Sequence, residues 1–242
     1  MPKTNKKSNK KIKKITVIIP ALNEEKAIKK VLRSIPSEKL RKIGYETEIM
    51  VIDNGSKDKT KLFAMSNGAR VIVQPVRGYG NAYKAGFANA TGDIIATGDA
   101  DLTYPFEDLP AFVELLESRK LDFLNTDRLK RLDPKVMHWT HRFGNWFLTT
   151  ICRILYPRFP FNDSQSGMWI FKRKIWDKLS VKSSGMPFSQ ELKIEAYRKG
   201  FKCDEIPITY KARVGEVKLR GIRDAIKNTI HLFVKKMGLM GF

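Results

Sequence analysis

A chain of 242 residues, 42% hydrophobic and 29% charged, has material for one ordinary-to-large globular core and is not disordered in composition. No stretch approaches the run of about 18 apolar residues that a membrane span requires, and Cys152 and Cys203 are too few and too isolated for a disulfide scaffold or a zinc site. Lys and Arg number 46 against 25 Asp and Glu, a net charge of +21; unless this is merely a solvated basic surface, the partners are anionic: nucleic acid, an acidic membrane surface or phosphorylated substrates.

Residues 1–14 carry seven lysines with no apolar core behind them and read as a disordered basic tail rather than a signal peptide, which fits an intracellular, reducing compartment. Residues 15–19 form a continuous β-branched strand of the kind buried on both faces, stopped by Pro20. Asn23 is placed to cap a helix running from Glu24 to about Ile35, with Ala27, Ile28, Val31, Leu32 and Ile35 as its apolar stripe. A second strand, residues 48–52, runs into Asp53-Asn54-Gly55-Ser56. The next helix starts at Ser56 or Asp58 and closes at Asn67-Gly68. A third strand, 70–74, leads through Arg77-Gly78-Tyr79-Gly80 to a helix ending near Ala90. A fourth, 94–97, delivers Asp99-Ala100-Asp101-Leu102. Four strand–helix alternations in about 100 residues predict an α/β, doubly wound, mostly parallel sheet flanked by helices.

Beyond residue 105 the rhythm changes. A helix is expected over 107–118, a strand over 122–125, a basic stretch with Arg128, Lys130 and Arg131, an aromatic-rich helix over 138–155, and a polar loop over 162–167. A short strand at 168–171, a helix at 188–199 and an amphipathic basic segment at 221–242 complete the chain. The expected domain plan is a tail (1–14), one catalytic domain (15–220) and a C-terminal helix (221–242).

The acidic tetrad is the chemical centre of this reading. Carboxylates two residues apart on a strand point the same way, so Asp99 and Asp101 can face one divalent cation, and Mg²⁺ is commonly held by one or two carboxylates plus substrate phosphates. The bland alternative is a polar turn at a strand end. Asp53, beside the loop 20–25, can accept from a base N–H, with Asn23 and Glu25 reaching a ribose or base edge, although all are also good capping and turn residues. Gly78-Tyr79-Gly80 is only half a dinucleotide fingerprint, which argues against a dehydrogenase.

In order, Pro20-Ala21-Leu22-Asn23-Glu24-Glu25, Asp53-Asn54-Gly55-Ser56, Arg77-Gly78-Tyr79-Gly80 and Asp99-Ala100-Asp101-Leu102 closely resemble the motif set of family 2 glycosyltransferases. The similarity continues through Arg128, the loop Asp163-Ser164-Gln165-Ser166-Gly167, Glu191 and Arg213-Val214-Gly215-Glu216-Val217-Lys218. The nearest branch is the polyprenyl- or dolichyl-phosphate sugar synthases. This resemblance implies the GT-A fold, and a nucleotide pocket of Pro20, Ala21, Asn23, Glu25, Val51, Asp53, Asp99 and Ala100. It implies Mg²⁺ or Mn²⁺ on Asp99 and Asp101, catalytic roles for Asp101 and Arg128, and phosphate or acceptor contacts from Arg128, Arg213 and Lys218.

The implied reaction is inverting transfer from a nucleotide sugar to dolichyl or polyprenyl phosphate by a peripheral enzyme on the cytoplasmic face of a membrane. Asn54 and Thr103 depart from the mannose-type pattern, which favours UDP-glucose or UDP-N-acetylglucosamine as donor, with GDP-mannose as the alternative. A phosphate acceptor is already an anionic nucleophile, so no strong base is needed. A nucleic-acid-binding protein, favoured by charge alone, would need a reading module that is absent. A processive polysaccharide synthase would be expected to carry a Gln-x-x-Arg-Trp motif and membrane spans.

Overall fold

The first strand sets the architecture. In the computed structural model, which describes residues 12–215 and 221–238, β1 (Lys13–Ala21) runs parallel to β2 (Tyr45–Asp53) on one side and to β4 (Ile94–Thr97) on the other. Its side chains alternate: Ile15, Val17 and Ile19 enter one apolar layer, and Ile18 enters the other. Both faces are therefore covered, which is why the strand reads as an unbroken apolar run. With β3 (Arg70–Val73), β5 (Phe123–Asp127), β6 (Trp169–Lys172) and β7 (Cys203–Pro207), the sheet has the order β3-β2-β1-β4-β6-β5-β7. All neighbours are parallel except β6, which lies antiparallel between β4 and β5.

The helices are α1 (Ile28–Ser34), α2 (Ser37–Lys42), α3 (Thr60–Ser66), α4 (Tyr79–Asn89), α5 (Leu109–Ser118), α6 (Trp139–Leu155), α7 (Phe188–Arg198) and α8 (Gly221–Lys236). Helix α4 lies close on the sheet: a Cβ at Gly86 would stand 2.6 Å from Ile18 Cγ2, so only glycine fits. The strand order reverses between β1 and β4, so a crevice opens at their carboxyl ends, where such sheets bind ligands.

Five expectations change. The first strand begins at Lys13, so Lys13 and Lys14 belong to the sheet and not to a tail; residues 1–11 of the expected tail lie outside the described residues. Asn23 does not cap a helix: it sits at φ 51°, and α1 starts only at Ile28. The short helix α2 and strand β7 are additions, each too brief to show a period. Finally, β4 ends at Thr97, so Asp99 and Asp101 occupy the turn beyond it, and strand alternation does not orient them. Among the described residues, no helix is long and apolar enough to cross a membrane.

Candidate active site

Two loops from neighbouring strand ends are zipped together at one side of the crevice. Ala21 is paired with Asp53, and the Asn54 N–H donates to the Ala21 carbonyl at 2.9 Å. Asn23 Oδ1 accepts from the Lys57 N–H (2.8 Å), Glu25 Oε2 from the Lys59 N–H (3.0 Å), and Asp53 Oδ1 from the Ser56 N–H (3.2 Å). Asn23, Glu25 and Asp53 are thus brought together, and their side chains also build the loops. Pro20 is half-buried, Ala21 and Ala100 are buried, and Val51 lies wholly in the core, where it shapes the floor. Asn54 ties two loops together, since its amide donates to the carbonyls of Gln74 and Val76 and its oxygen accepts from the Gly78 N–H. Gly78 itself, at φ 144°, passes under Ser184, whose carbonyl would meet a Cβ at 2.3 Å.

At the end of β4, Asp101 is 2% exposed. Its Oδ1 accepts from the Thr103 N–H (3.1 Å) and hydroxyl (2.6 Å), and its Oδ2 faces Arg213 Nε at 3.4 Å. Thr103, read from sequence as a departure from the mannose-type pattern, orients Asp101 through these two bonds. Asp99 is only partly covered, and among the described residues none donates a hydrogen bond to its carboxylate. Burial, and after it the charge of Asp101, pushes the Asp99 carboxyl up to about 7, against the opposing pull of Arg213 and Arg128. Such a pair asks for a cation. No third carboxylate, histidine or cysteine completes a metal-binding group among the described residues, so the donor set fits an ion that draws its other ligands from diphosphate and water.

Gly167 borders the same spot. Its peptide is held by Tyr104, whose hydroxyl accepts from its N–H (2.6 Å), and by Thr97 and Tyr83, which donate to its carbonyl. A Cβ there would lie 2.5 Å from Tyr79 Oη and 3.6 Å from Asp99 Oδ1. The buried Tyr83 and Tyr104 and the partly buried Tyr79 thus wall Asp99. Sequence reading missed them, and the tyrosine inside the Arg77–Gly80 motif was the available signal.

Arg128 lies across the site. Its fork grips Asp163 through Nε–Oδ2 (2.7 Å) and Nη2–Oδ1 (2.9 Å), and its guanidinium sits 5.4 Å from the centre of the Tyr210 ring. Three of its N–H groups remain for another anion. Burial alone would raise the Asp163 carboxyl; Arg128 and then Lys193 outweigh it and hold it below the ordinary range. Lys193, also missed, is fully buried and donates to the carbonyls of Asp163 (3.1 Å), Ser164 (2.9 Å) and Ser166 (2.8 Å). A lysine in a helix ordinarily reads as surface, so nothing local marked it.

The segment after β7 closes the mouth. Ile208 and Val214 donate backbone bonds to Asp127 and Asp101, and Arg213 bridges Asp101 and Glu24 Oε1 (3.2 Å). Lys218 lies outside the described residues. Glu191, quoted with the motifs, is instead committed to α8: it accepts from the Lys182 and Ser183 N–H groups and pairs with Lys235 at 2.9 Å.

A model of glycosyl transferase family 2 matches residues 16–180, the span that carries the strand ends and carboxylates just described. The chain belongs to that family. This family 2 transferase is 35% identical over 228 residues to the low-salt glycan biosynthesis hexosyltransferase Agl6 of Haloferax volcanii, covering 93% of the chain but 54% of that protein, about half its length. It is 32% identical over 206 residues to the dolichyl-phosphate hexose transferase of the same organism, covering 85% of the chain and 86% of that protein. In three dimensions it resembles glucosyl-3-phosphoglycerate synthase from Mycobacterium tuberculosis, solved with Mn²⁺, UDP and glucosyl-3-phosphoglycerate. The TM-score is 0.69 at 24% identity, over 93% of the chain and 80% of that structure. This likeness establishes the GT-A fold.

Proposed function

We propose that this transferase moves a hexose from a nucleotide sugar to the phosphate of a dolichyl or polyprenyl phosphate, with inversion at the anomeric carbon. The observation that carries the reading is the meeting of Asp99 and Asp101 with Arg128 and Arg213 at one mouth: carboxylates for a cation, arginines for phosphate. The relatives named for hexosyl and dolichyl-phosphate hexose transfer support it.

In this scheme Pro20, Ala21, Asn23, Glu25, Asp53 and Ala100 surround the nucleotide over the floor made by Val51. Asp99 and Asp101 would hold Mg²⁺ or Mn²⁺, whose charge would offset that of the leaving diphosphate. Arg128, anchored by Asp163, turns its remaining N–H groups to the acceptor phosphate, because a guanidinium fork matches phosphate oxygens. Arg213 leaves Asp101 for a phosphate when donor enters, and Lys218 adds a further cation. The acceptor arrives ionised, so positioning and charge neutralisation suffice, and no side chain is assigned as a base. We take residues 15–220 as the catalytic unit, 221–242 as an appended helix, and the working place as the cytoplasmic face of a membrane.

A UDP-sugar is the favoured donor, on the departures at Asn54 and Thr103 and on the UDP-bound structure of the same fold. Incubating the protein with UDP- and GDP-hexoses, a polyprenyl phosphate and either metal tests the reaction. Calorimetry with UDP and GDP side by side tests the base. Failure of every donor to yield a polyprenyl-phosphate sugar would overturn the acceptor assignment, and preference for GDP would overturn the base.

A further inference from the structure

Lys193 is committed to one loop. It projects from α7, fully buried, and its ammonium donates to the carbonyls of Asp163, Ser164 and Ser166, with the Ser189 hydroxyl at 3.3 Å. A neutral amine has too few N–H groups to serve three carbonyls, so the geometry is that of a charged ammonium. Burial pushes its pKa down, and the carboxylates of Asp163 and Glu205 push it back up.

The loop has two ends with different supports. At the Gly167 end, Tyr104, Thr97 and Tyr83 hold the peptide beside Asp99 through bonds in which Lys193 takes no part. At the other end, the Asp163 carboxylate grips both prongs of Arg128 and accepts from its backbone N–H as well. Two of the three carbonyls have further donors: Asn125 reaches Asp163, and Trp169 and Ser189 reach Ser166. The Ser164 carbonyl lies between them, and among the described residues Lys193 is the donor that holds it. Charge acts in the same direction. Arg128 and then Lys193 both hold the Asp163 carboxyl down. With the ammonium gone, the surroundings of Arg128 become one unit more negative and so less inviting to a phosphate.

We propose that Lys193 is a positioning residue: it fixes the loop at 163–166 so that Asp163 presents Arg128 to the incoming phosphate. The proposal rests on the reading of Arg128 as the acceptor contact. It goes beyond that reading by separating the two ends of one loop. Support for the acceptor arginine comes from α7, whereas support beside Asp99 comes from Thr97 on β4, Tyr83 on α4 and Tyr104.

The test compares Lys193→Met and Lys193→Gln, in the full chain, with Leu192→Ala. The last removes buried packing from the same helix but no hydrogen bond of the loop. Each is measured well below its unfolding midpoint, with circular dichroism as the control for fold. In protein labelled with ¹⁵N-arginine, the Arg128 Nε–H signal is assigned by its loss in Arg128→Lys. It should exchange slowly with solvent in wild type and in Leu192→Ala, and about tenfold faster or more in the two Lys193 variants. The KM for a short-chain polyprenyl phosphate should rise about tenfold in both, the scale of one charge-assisted hydrogen bond. Affinity for UDP with Mn²⁺ should stay at the wild-type value. Lys193→Gln, which keeps N–H donors without the charge, carries the test if Lys193→Met does not fold. An unchanged Arg128 signal in a folded Lys193 variant would overturn the proposal. Equal losses of acceptor and UDP affinity, or the same effects in Leu192→Ala, would also overturn it, since Lys193 would then be a general prop of the fold. If wild type transfers no sugar, the acceptor reading falls, and the Arg128 signal still decides whether Lys193 places that arginine.

Discussion

Arg128 and Asp163 form a two-pronged ion pair at 2.7 and 2.9 Å in which the carboxylate is wholly buried and the arginine side chain is 11% exposed. Removing one partner strands a charge, which typically costs about 3–5 kcal/mol. Arg128→Ala should therefore lower the unfolding midpoint as well as weaken use of the acceptor. Arg213→Ala leaves the Asp101 and Glu24 carboxylates without their cation, but it breaks no two-pronged bond and removes a side chain 25% exposed, so it should weaken phosphate use and lower the midpoint less than Arg128→Ala. Urea unfolding together with acceptor and nucleotide titrations separates the two; equal destabilisation by both would contradict the burial argument.

Asp101→Ala should reduce transfer by roughly 10²–10³-fold, the scale of several kcal/mol of lost charge stabilisation. The fold should persist, because Asp101 lies in a turn beyond β4 whose lost bonds are confined to Thr103 and Arg213. Steady-state turnover across a Mn²⁺ titration, with circular dichroism as control, checks this. Wild-type turnover in the variant would remove Asp101 from the site.

Lys193→Met should destabilise the protein through the loop at 163–166. Its ammonium donates to three carbonyls there; Asp163 keeps a donor in Asn125 and Ser166 keeps Trp169 and Ser189, so the Ser164 carbonyl is the acceptor stranded, at about 1–3 kcal/mol. Urea denaturation measures the loss. A midpoint equal to wild type would mean that the loop finds other donors.

Acid should loosen the attachment of α8. Burial would raise Glu191, but hydrogen bonds from His231 and Ser183 and the charge of Lys235 outweigh it and hold the carboxyl well below its ordinary 4.5. Below pH 4.5 the unfolded chain binds a proton that the folded chain refuses, so this stabilisation is full above that pH and fades as pH falls toward the folded value. The stability gap between wild type and Glu191→Gln should thus be largest near neutrality and shrink in acid. A gap independent of pH would show that the charge of Glu191 contributes nothing.

Much of the fold was legible because it is written locally. The apolar runs before Asp53 and Asp99, and the glycine and proline signals between them, announce a parallel α/β sheet with carboxylates at its strand ends, and the ordered motifs announce the family. What sequence could not decide depends on contacts between distant positions. Arg213 meets Asp101 across more than a hundred residues, because the chain returns along the mouth after β7. Lys193 looks like a surface lysine until β6, inserted antiparallel between β4 and β5, brings the loop at 163–166 onto α7. The period of α6 reveals that one face is apolar, but periodicity says nothing of which face the protein itself covers. Only tertiary packing settles that, by spending Leu148, Thr149 and Cys152 on the core and leaving the tryptophans outside.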